Sequence, residues 1–310
     1  MDAEMSIEKK NNNWWYHVIA ILVIIAWGAS FPCTRLLLDA GISPTEIFVY
    51  RSAIAYLGLL VFSRFKISYW GWKDEALAVL CGLTGGAMYF VLQNIALKLT
   101  LLSDVVIVIA VNPLLTTILA AIFLKDEHFS LKVLLGSMVA FAGVAVVTFR
   151  DGFVWGDGLL GNVLAFLAAL SWAFYCIILK RVQGRHSTLS ITRKVMLYGT
   201  ICAIPVMFFE PTTPISTLLR TDVLFNMLFL ALVCSMAAFF IWNLVIKKIG
   251  AIRSSNYLYL DPIVSIIMGV ILLNERVGIV AVVGCALVLL GVILVEKAST
   301  KKSQPKIIKQ

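Results

Sequence analysis

The chain has 310 residues, of which 61% are hydrophobic and 14% charged, with a mean hydropathy of +0.95 and a formal net charge of +9. A soluble domain carries about 25% charged residues, so the composition excludes a soluble two-domain protein and describes a polytopic membrane protein. The positive charge does not imply a nucleic-acid partner, because the basic residues fall in loops on one side.

Ten apolar segments are each long enough for a spanning helix. In chain order they cover residues 16–38, 45–62, 75–97, 105–124, 131–148, 159–179, 195–209, 223–246, 254–273 and 277–295. The first is too long for a cleaved signal peptide and offers no small-residue cleavage site. The seventh is interrupted by Pro205. The loops between segments leave no room for a soluble domain. Cysteines 33, 81, 176, 202, 234 and 285 all fall within segments and form no CxxC pair, so they read as small core residues. Histidines 17, 128 and 186 are far apart. No constellation for a metal, a nucleophile or a cofactor is visible, and no phosphate-binding loop suggests an ATP-driven pump.

Charge asymmetry orients the segments. With the N-terminus in the cytoplasm, that side holds Lys9, Lys10, Arg64, Lys66, Lys73, Lys125, Lys132, Lys180, Arg181, Arg185, Arg193, Lys194, Lys247, Lys248, Arg253 and the five tail lysines from 297 onward. The outer side keeps only Lys98, Arg150, Arg220 and Arg276, which is a positive-inside pattern. Both ends of the chain are basic, and an even number of spans returns both to the cytoplasm. Trp70 and Trp155 suit interfacial anchoring. The expected location is the cytoplasmic or inner membrane, with the lipid bilayer as surroundings.

The chain also repeats itself. Glu127, Gly136, Gly143 and Val144 recur as Glu275, Gly284, Gly291 and Val292, an offset of 148. Asn94 and Pro113 recur as Asn243 and Pro262, an offset of 149, which equates Asn112 with Asp261. Trp27 and Trp172 are approximate partners in the first helix of each half. Each half holds five segments. Five is odd, so the second half enters the membrane from the opposite side, giving an inverted repeat of the kind found in secondary transporters. The expected organisation is an N-terminal cytoplasmic segment 1–15, repeats 16–150 and 151–297, and a basic cytoplasmic tail 298–310.

The stretches AWGASFPCTR, YRSAIAYLGLLVF and LDPIVSIIMGVILLNERVGIVAVVGCALVLLGVIL resemble the drug/metabolite transporter superfamily, specifically its EamA-type branch. The resemblance runs from about Trp15 to Glu296. It implies ten helices in two inverted repeats around a central cavity, transport of small metabolites such as amino acids, and no covalent cofactor.

Within the ninth segment, Asp261 and Pro262 interrupt hydrocarbon-compatible sequence. A midplane carboxylate costs roughly 2.5–3.5 kcal/mol on insertion scales. Ser254, Tyr257, Asp261, Ser265 and Gly269 share one helical face, expected to turn toward a cavity or a partner helix. The fourth segment supplies Asn112, Pro113 and Thr116; the third, Tyr89, Gln93 and Asn94 with Gly85 and Gly86; the first, Trp27, Ser30 and Thr34. Trp172 and Tyr175 come from the sixth, and Trp242 and Asn243 from the eighth. Each alone reads first as a packing or interhelical hydrogen-bond element, and it is their collection on the helices equated by the repeat that points to a cavity.

Arg51 admits three readings: outward snorkelling, binding of a substrate carboxylate, or pairing with Asp261. Arg35, nearer a helix end, favours snorkelling. The paired glycines mark smooth faces for close helix contact or for a dimer seam, and monomer and homodimer both fit. Glu127 and Glu275 read as cap or loop contacts.

Three functions are weighed. The first is a secondary transporter for a small polar or amphipathic metabolite, such as an exported amino acid. The second is a multidrug exporter in which Asp261 meets a cationic drug, with protons as candidate coupling ion. The third, an intramembrane enzyme, would need a paired acid, histidine or metal cluster that the sequence does not offer.

Overall fold

The computed structural model describes residues 14–123, 131–149, 156–249 and 256–300, and no β-strand occurs among them. The helices are α1 (Trp14–Asp39), α2 (Pro44–Phe62), α3 (Trp72–Gly82), α4 (Tyr89–Leu99), α5 (Leu102–Ile109), α6 (Asn112–Phe123) and α7 (Leu131–Thr148). They continue with α8 (Asp157–Val182), α9 (Thr188–Met207), α10 (Ile215–Leu218), α11 (Thr221–Leu228), α12 (Ala238–Ile249), α13 (Asp261–Leu273) and α14 (Ile279–Thr300). Wider π-helical turns, Leu83–Met88 and Phe229–Ala237, fuse α3 to α4 and α11 to α12. A 3₁₀ segment, Asn256–Leu260, leads into α13.

Among the described residues, seven helical stretches are long and apolar enough to cross a bilayer. Shorter apolar helices cover Met138–Val147, Asp261–Leu273 and Ile279–Gly291. Their outer faces expose Leu57, Ile122, Phe225 and Val282, whereas small hydroxyl residues are buried between helices. A soluble protein does not present so much contiguous apolar surface. Thr34, Ser52 and Thr200 bond carbonyls of their own helices, which lets neighbouring backbones approach.

Local sequence explains the helix ends. At α2, Ser43 and Glu46 form a capping box and Pro44 occupies the first turn. The buried Glu46 carboxylate also accepts the Thr213 N–H at 3.1 Å, so its charge is satisfied within the protein. At the end of α4, Arg35 donates to the Leu97 and Thr100 carbonyls at 2.6 and 3.1 Å while holding Asp39 at 3.0 Å. Arg35 therefore caps a helix C-terminus, where a cation is favoured, rather than snorkelling.

Two expectations about the apolar segments are corrected. The seventh apolar segment begins at Thr188 rather than 195: Arg193 and Lys194, expected in a loop, are helical and buried. Arg193 donates to Ser63 and the Lys66 carbonyl, and Lys194 pairs with Glu75, so their charges are met inside the protein. The fourth and ninth segments are not continuous α-helices. α5 ends at Ile109 and α6 starts at Asn112, while the ninth runs as a 3₁₀ turn until α13 starts at Asp261. In each case the restart residue precedes proline, which disfavours α-conformation before it and suits a helix's first turn. The Trp70 ring stacks on His186 at 3.8 Å. Ser254, Trp155, His128 and Glu127 lie outside the described residues.

The glycine faces meet each other within the chain. A Cβ on Gly143 would stand 2.7 Å from the Gly284 carbonyl, and one on Gly291 2.6 Å from the Gly136 carbonyl. The contacts are reciprocal: 143 meets 284 as 136 meets 291, so α7 and α14 cross antiparallel as counterparts. This seam has no need of a second copy. Other counterpart contacts agree. Ser52 and Thr200 hydroxyls, 148 residues apart, lie 2.8 Å from each other. Asn94 donates to the Pro44 carbonyl and Asn243 to the Thr192 hydroxyl, both at 2.9 Å. α1 packs on α13 and α12, as α8 packs on α6 and α4.

Gly291→Ala should lower stability by about 1–3 kcal/mol through overpacking against backbone that cannot rotate away. Gly278→Ala, where a Cβ meets nothing within 4 Å, should be silent. Thermal unfolding of the two variants in detergent, read by fluorescence-detected gel filtration, checks the contrast.

Candidate functional site

The two helix restarts lie beside one interior cavity of about 50 Å³, enough for several waters or the polar end of a small solute. Asn112 and Pro113 line it from α6, and Asp261 and Pro262 from α13. Leu258 and Ile109 occupy the turns that precede them. Trp27, Ser30 and Phe31 of α1, Arg51 of α2, Tyr89, Phe90 and Gln93 of α4, Val106 of α5, Ala110 after it, Trp172 of α8 and Phe239 of α12 complete the wall.

Arg51 is 1% exposed, so outward snorkelling does not describe it. Its Nε donates to Ser235 Oγ at 2.8 Å, and its guanidinium carbon lies 4.4 Å from the centre of the Phe90 ring. Ser235 belongs to the π-helical turn before α12, whose extra width brings a small hydroxyl residue against α2. Nη1 of Arg51 is buried and makes no hydrogen bond. Asp261 Oδ1 and Asn112 Oδ1 are likewise buried without a protein partner. Arg51 and Asp261 do not form an ion pair within 4 Å, so the pairing expectation is corrected; Tyr89 stands within electrostatic reach of both. Buried polar atoms normally have partners, and three such atoms around one cavity make a site able to take both a hydrogen-bond donor and an acceptor. Asp261 also begins α13, where the positive end of the helix dipole favours a carboxylate.

The aromatic wall is continuous. Trp27 meets Phe239 at 5.5 Å and Trp172 at 6.4 Å between ring centres, and Tyr89 meets Trp172 at 4.9 Å. Trp27 Nε1 is held by the Cys234 carbonyl at 3.0 Å. Ser30 lines the cavity, though its hydroxyl bonds back to the Trp27 carbonyl.

Eight of the residues singled out from sequence are thus brought together: Trp27, Ser30, Arg51, Tyr89, Gln93, Asn112, Trp172 and Asp261. Five are not in the wall. Asn94 and Asn243 tie α4 and α12 to the starts of α2 and α9. Tyr175 packs at a tilt behind Trp172 at 5.1 Å, and Trp242 likewise behind Trp27 at 5.2 Å. Tyr257 bonds His17 at 2.5 Å. Ser265 and Gly269 face α1 and α5 rather than the cavity, because Gly28 allows α1 to press against residues 264–265 and Leu102 covers Gly269.

Sequence reasoning missed Phe90, Phe239 and Ser235. The offset of 149 that equates Asn94 with Asn243 also equates Phe90 with Phe239 and Ile109 with Leu258, so repeat arithmetic alone reaches four of the wall residues. Ser235 carries no such signal. Among the described residues, no three His, Cys, Asp or Glu side chains group as a metal site would.

Comparison with known proteins adds the following. The model of the EamA-like transporter family matches twice, at residues 14–149 and 159–296. A probable terminal-alkyne amino-acid exporter of Streptantibioticus cattleyicolor is 28% identical over 89% of this chain and 92% of its own length. An uncharacterized transporter of Archaeoglobus fulgidus is 27% identical over 90% of this chain and 97% of its own. A protein of known crystal structure superposes with a TM-score of 0.65 over 93% of this chain and 99% of its own, at 18% identity, a likeness of fold alone.

Ser235→Ala should destabilise the protein by about 1.5–3 kcal/mol, because it strips a neutral partner from a buried guanidinium. Ser235→Thr, which keeps the hydroxyl, should recover most of that loss in the same thermal-unfolding measurement.

Proposed function

The chain belongs to the EamA-like transporter family, and from that premise we propose that it is a secondary transporter that exports a small zwitterionic metabolite of the amino-acid class. The observation that carries this reading is that Arg51 and Asp261, of opposite charge, line one cavity without pairing to each other. An α-ammonium carboxylate fits that arrangement: guanidinium toward carboxylate, carboxylate toward ammonium, and aromatic rings around the side chain. The amino-acid exporter among the relatives agrees with this class of substrate.

In this reading the ten apolar segments span the inner membrane as two inverted five-helix repeats, 16–150 and 151–297, between a cytoplasmic N-terminal segment 1–15 and a basic cytoplasmic tail 298–310. The reciprocal antiparallel contacts of α7 with α14 support the inversion. The π-helical turns and the polar-proline restarts at matching points of the two halves support the duplication itself. Rocking of the halves about the cavity then gives alternating access. The two ends of α2 differ in chemistry. Glu210 accepts the Thr45 N–H at one end of α2, whereas Arg193 and Lys194 of α9 are held by Ser63 and Glu75 at the other face.

A second reading is favoured by the aromatic wall: a proton-coupled exporter of cationic compounds held over Trp27, Trp172 and Phe239 near Asp261.

Proteoliposome transport of an amino acid beside its decarboxylated amine separates the two. Arg51→Lys should cut kcat/KM for the amino acid by roughly tenfold or more and spare the amine, because a point charge replaces a planar fork. Asp261→Asn should impair both substrates without lowering folded yield. If Arg51→Lys leaves amino-acid transport intact, the zwitterion reading fails; cationic-dye transport that survives Arg51→Gln and is lost in Asp261→Asn would establish the second.

Orientation is tested with single cysteines in a background lacking the native six. Positions 152 and 215 should react with an impermeant thiol reagent outside intact cells, and positions 69, 187 and 304 should be protected.

A further inference from the structure

A second pocket, about 510 Å³ in volume and open to the surroundings, lies where α2 ends and α9 begins. Arg64, Lys66 and Arg193 line it, and among the described residues no carboxylate does. Ser68, Ser187 and Ser190 add hydroxyls around the first turn of α9. Arg193 is 4% exposed, yet both of its hydrogen bonds, to Ser63 Oγ and the Lys66 carbonyl, leave from Nη1. The rest of its guanidinium is left for an acceptor in the pocket it lines. Concentrating three cations within one cavity without a counter-ion is unfavourable by itself and favourable around a bound anion.

We infer that this pocket binds the phosphate of an anionic phospholipid. A phosphate diester offers several acceptor oxygens to a guanidinium, an ammonium and hydroxyls together. The remainder of the wall selects a lipid over a soluble anion. Phe62 is 71% exposed at the end of an apolar helix, and Leu189 faces it from α9. Phe65, Ile67 and Tyr69 beside them are also exposed. α2 is long enough to span a bilayer and finishes at Phe62, so the pocket stands at headgroup depth, where an acyl chain runs down the helix as the phosphate meets the bases. The lipid would bridge helices from both halves of the chain. This assignment is independent of what the central cavity carries.

The test uses the full-length protein in neutral detergent. Native mass spectrometry compares retention of phosphatidylglycerol and phosphatidylcholine, and thermal unfolding compares protection by phosphatidylglycerol with protection by inorganic phosphate. Wild-type protein should retain phosphatidylglycerol selectively and be stabilised by it. Each basic side chain near an anionic headgroup contributes roughly a fivefold factor in affinity. The double variant R64Q/K66Q, at two exposed positions, should therefore bind phosphatidylglycerol roughly thirtyfold more weakly with phosphatidylcholine retention unchanged. S68D, which keeps both cations and adds a negative charge at an exposed position, should lose the same selectivity, so the outcome does not depend on one variant's folding. Equal retention of the two lipids by wild type, or selectivity unaltered in both variants, would overturn the inference. Protection by inorganic phosphate matching that of the lipid would replace it with a soluble-anion site.

Discussion

Backbone that stops being helical inside hydrocarbon has no water to satisfy it, so it must face protein or a polar cavity. That constraint organises the interior of this chain. Its two interruptions, at Ala110–Val111 and just before Asp261, lie in counterpart stretches and abut one cavity. Once they do, the polar residues that restart each helix, Asn112 and Asp261, are placed there as well. The aromatic wall and the buried Arg51 follow from the same enclosure, since a low-dielectric interior strengthens every polar contact left inside it.

Much of the architecture was legible in the sequence because a membrane leaves few options. Length and hydropathy locate the long helices, and the spacing of Asn, polar-Pro, Glu and paired Gly exposes the duplication. What misled was charge. Arg193 and Lys194 look like loop residues because a bare cation ends a spanning segment, but their partners, Ser63, the Lys66 carbonyl and Glu75, lie more than a hundred residues away in sequence. Arg35 misled in the same way, through carbonyls of α4.

The site was partly legible, and the division has a physical basis. Polar or aromatic residues on the helices equated by the duplication reach the cavity when they sit at the depth of the restarts, as Gln93 and Trp172 do. One residue further round the helix they become ties, as Asn94 does with Pro44. A hydrophobic period cannot tell these two faces apart when both are buried. Ser235 was invisible because a π-helical turn shifts the register of everything after it, and nothing in FLALVCSMA announces the extra residue.

The glycine seam between α7 and α14 has a mechanical consequence. Their backbones meet so closely that a Cβ on Gly143, Gly284 or Gly291 would overlap main-chain or side-chain atoms. Translating one helix along the other by a single residue, about 1.5 Å, brings side chains toward spaces that only hydrogen fills. Tilting about the crossing point requires no such exchange. The seam therefore locks the two helices in register along their length and leaves their crossing angle less constrained.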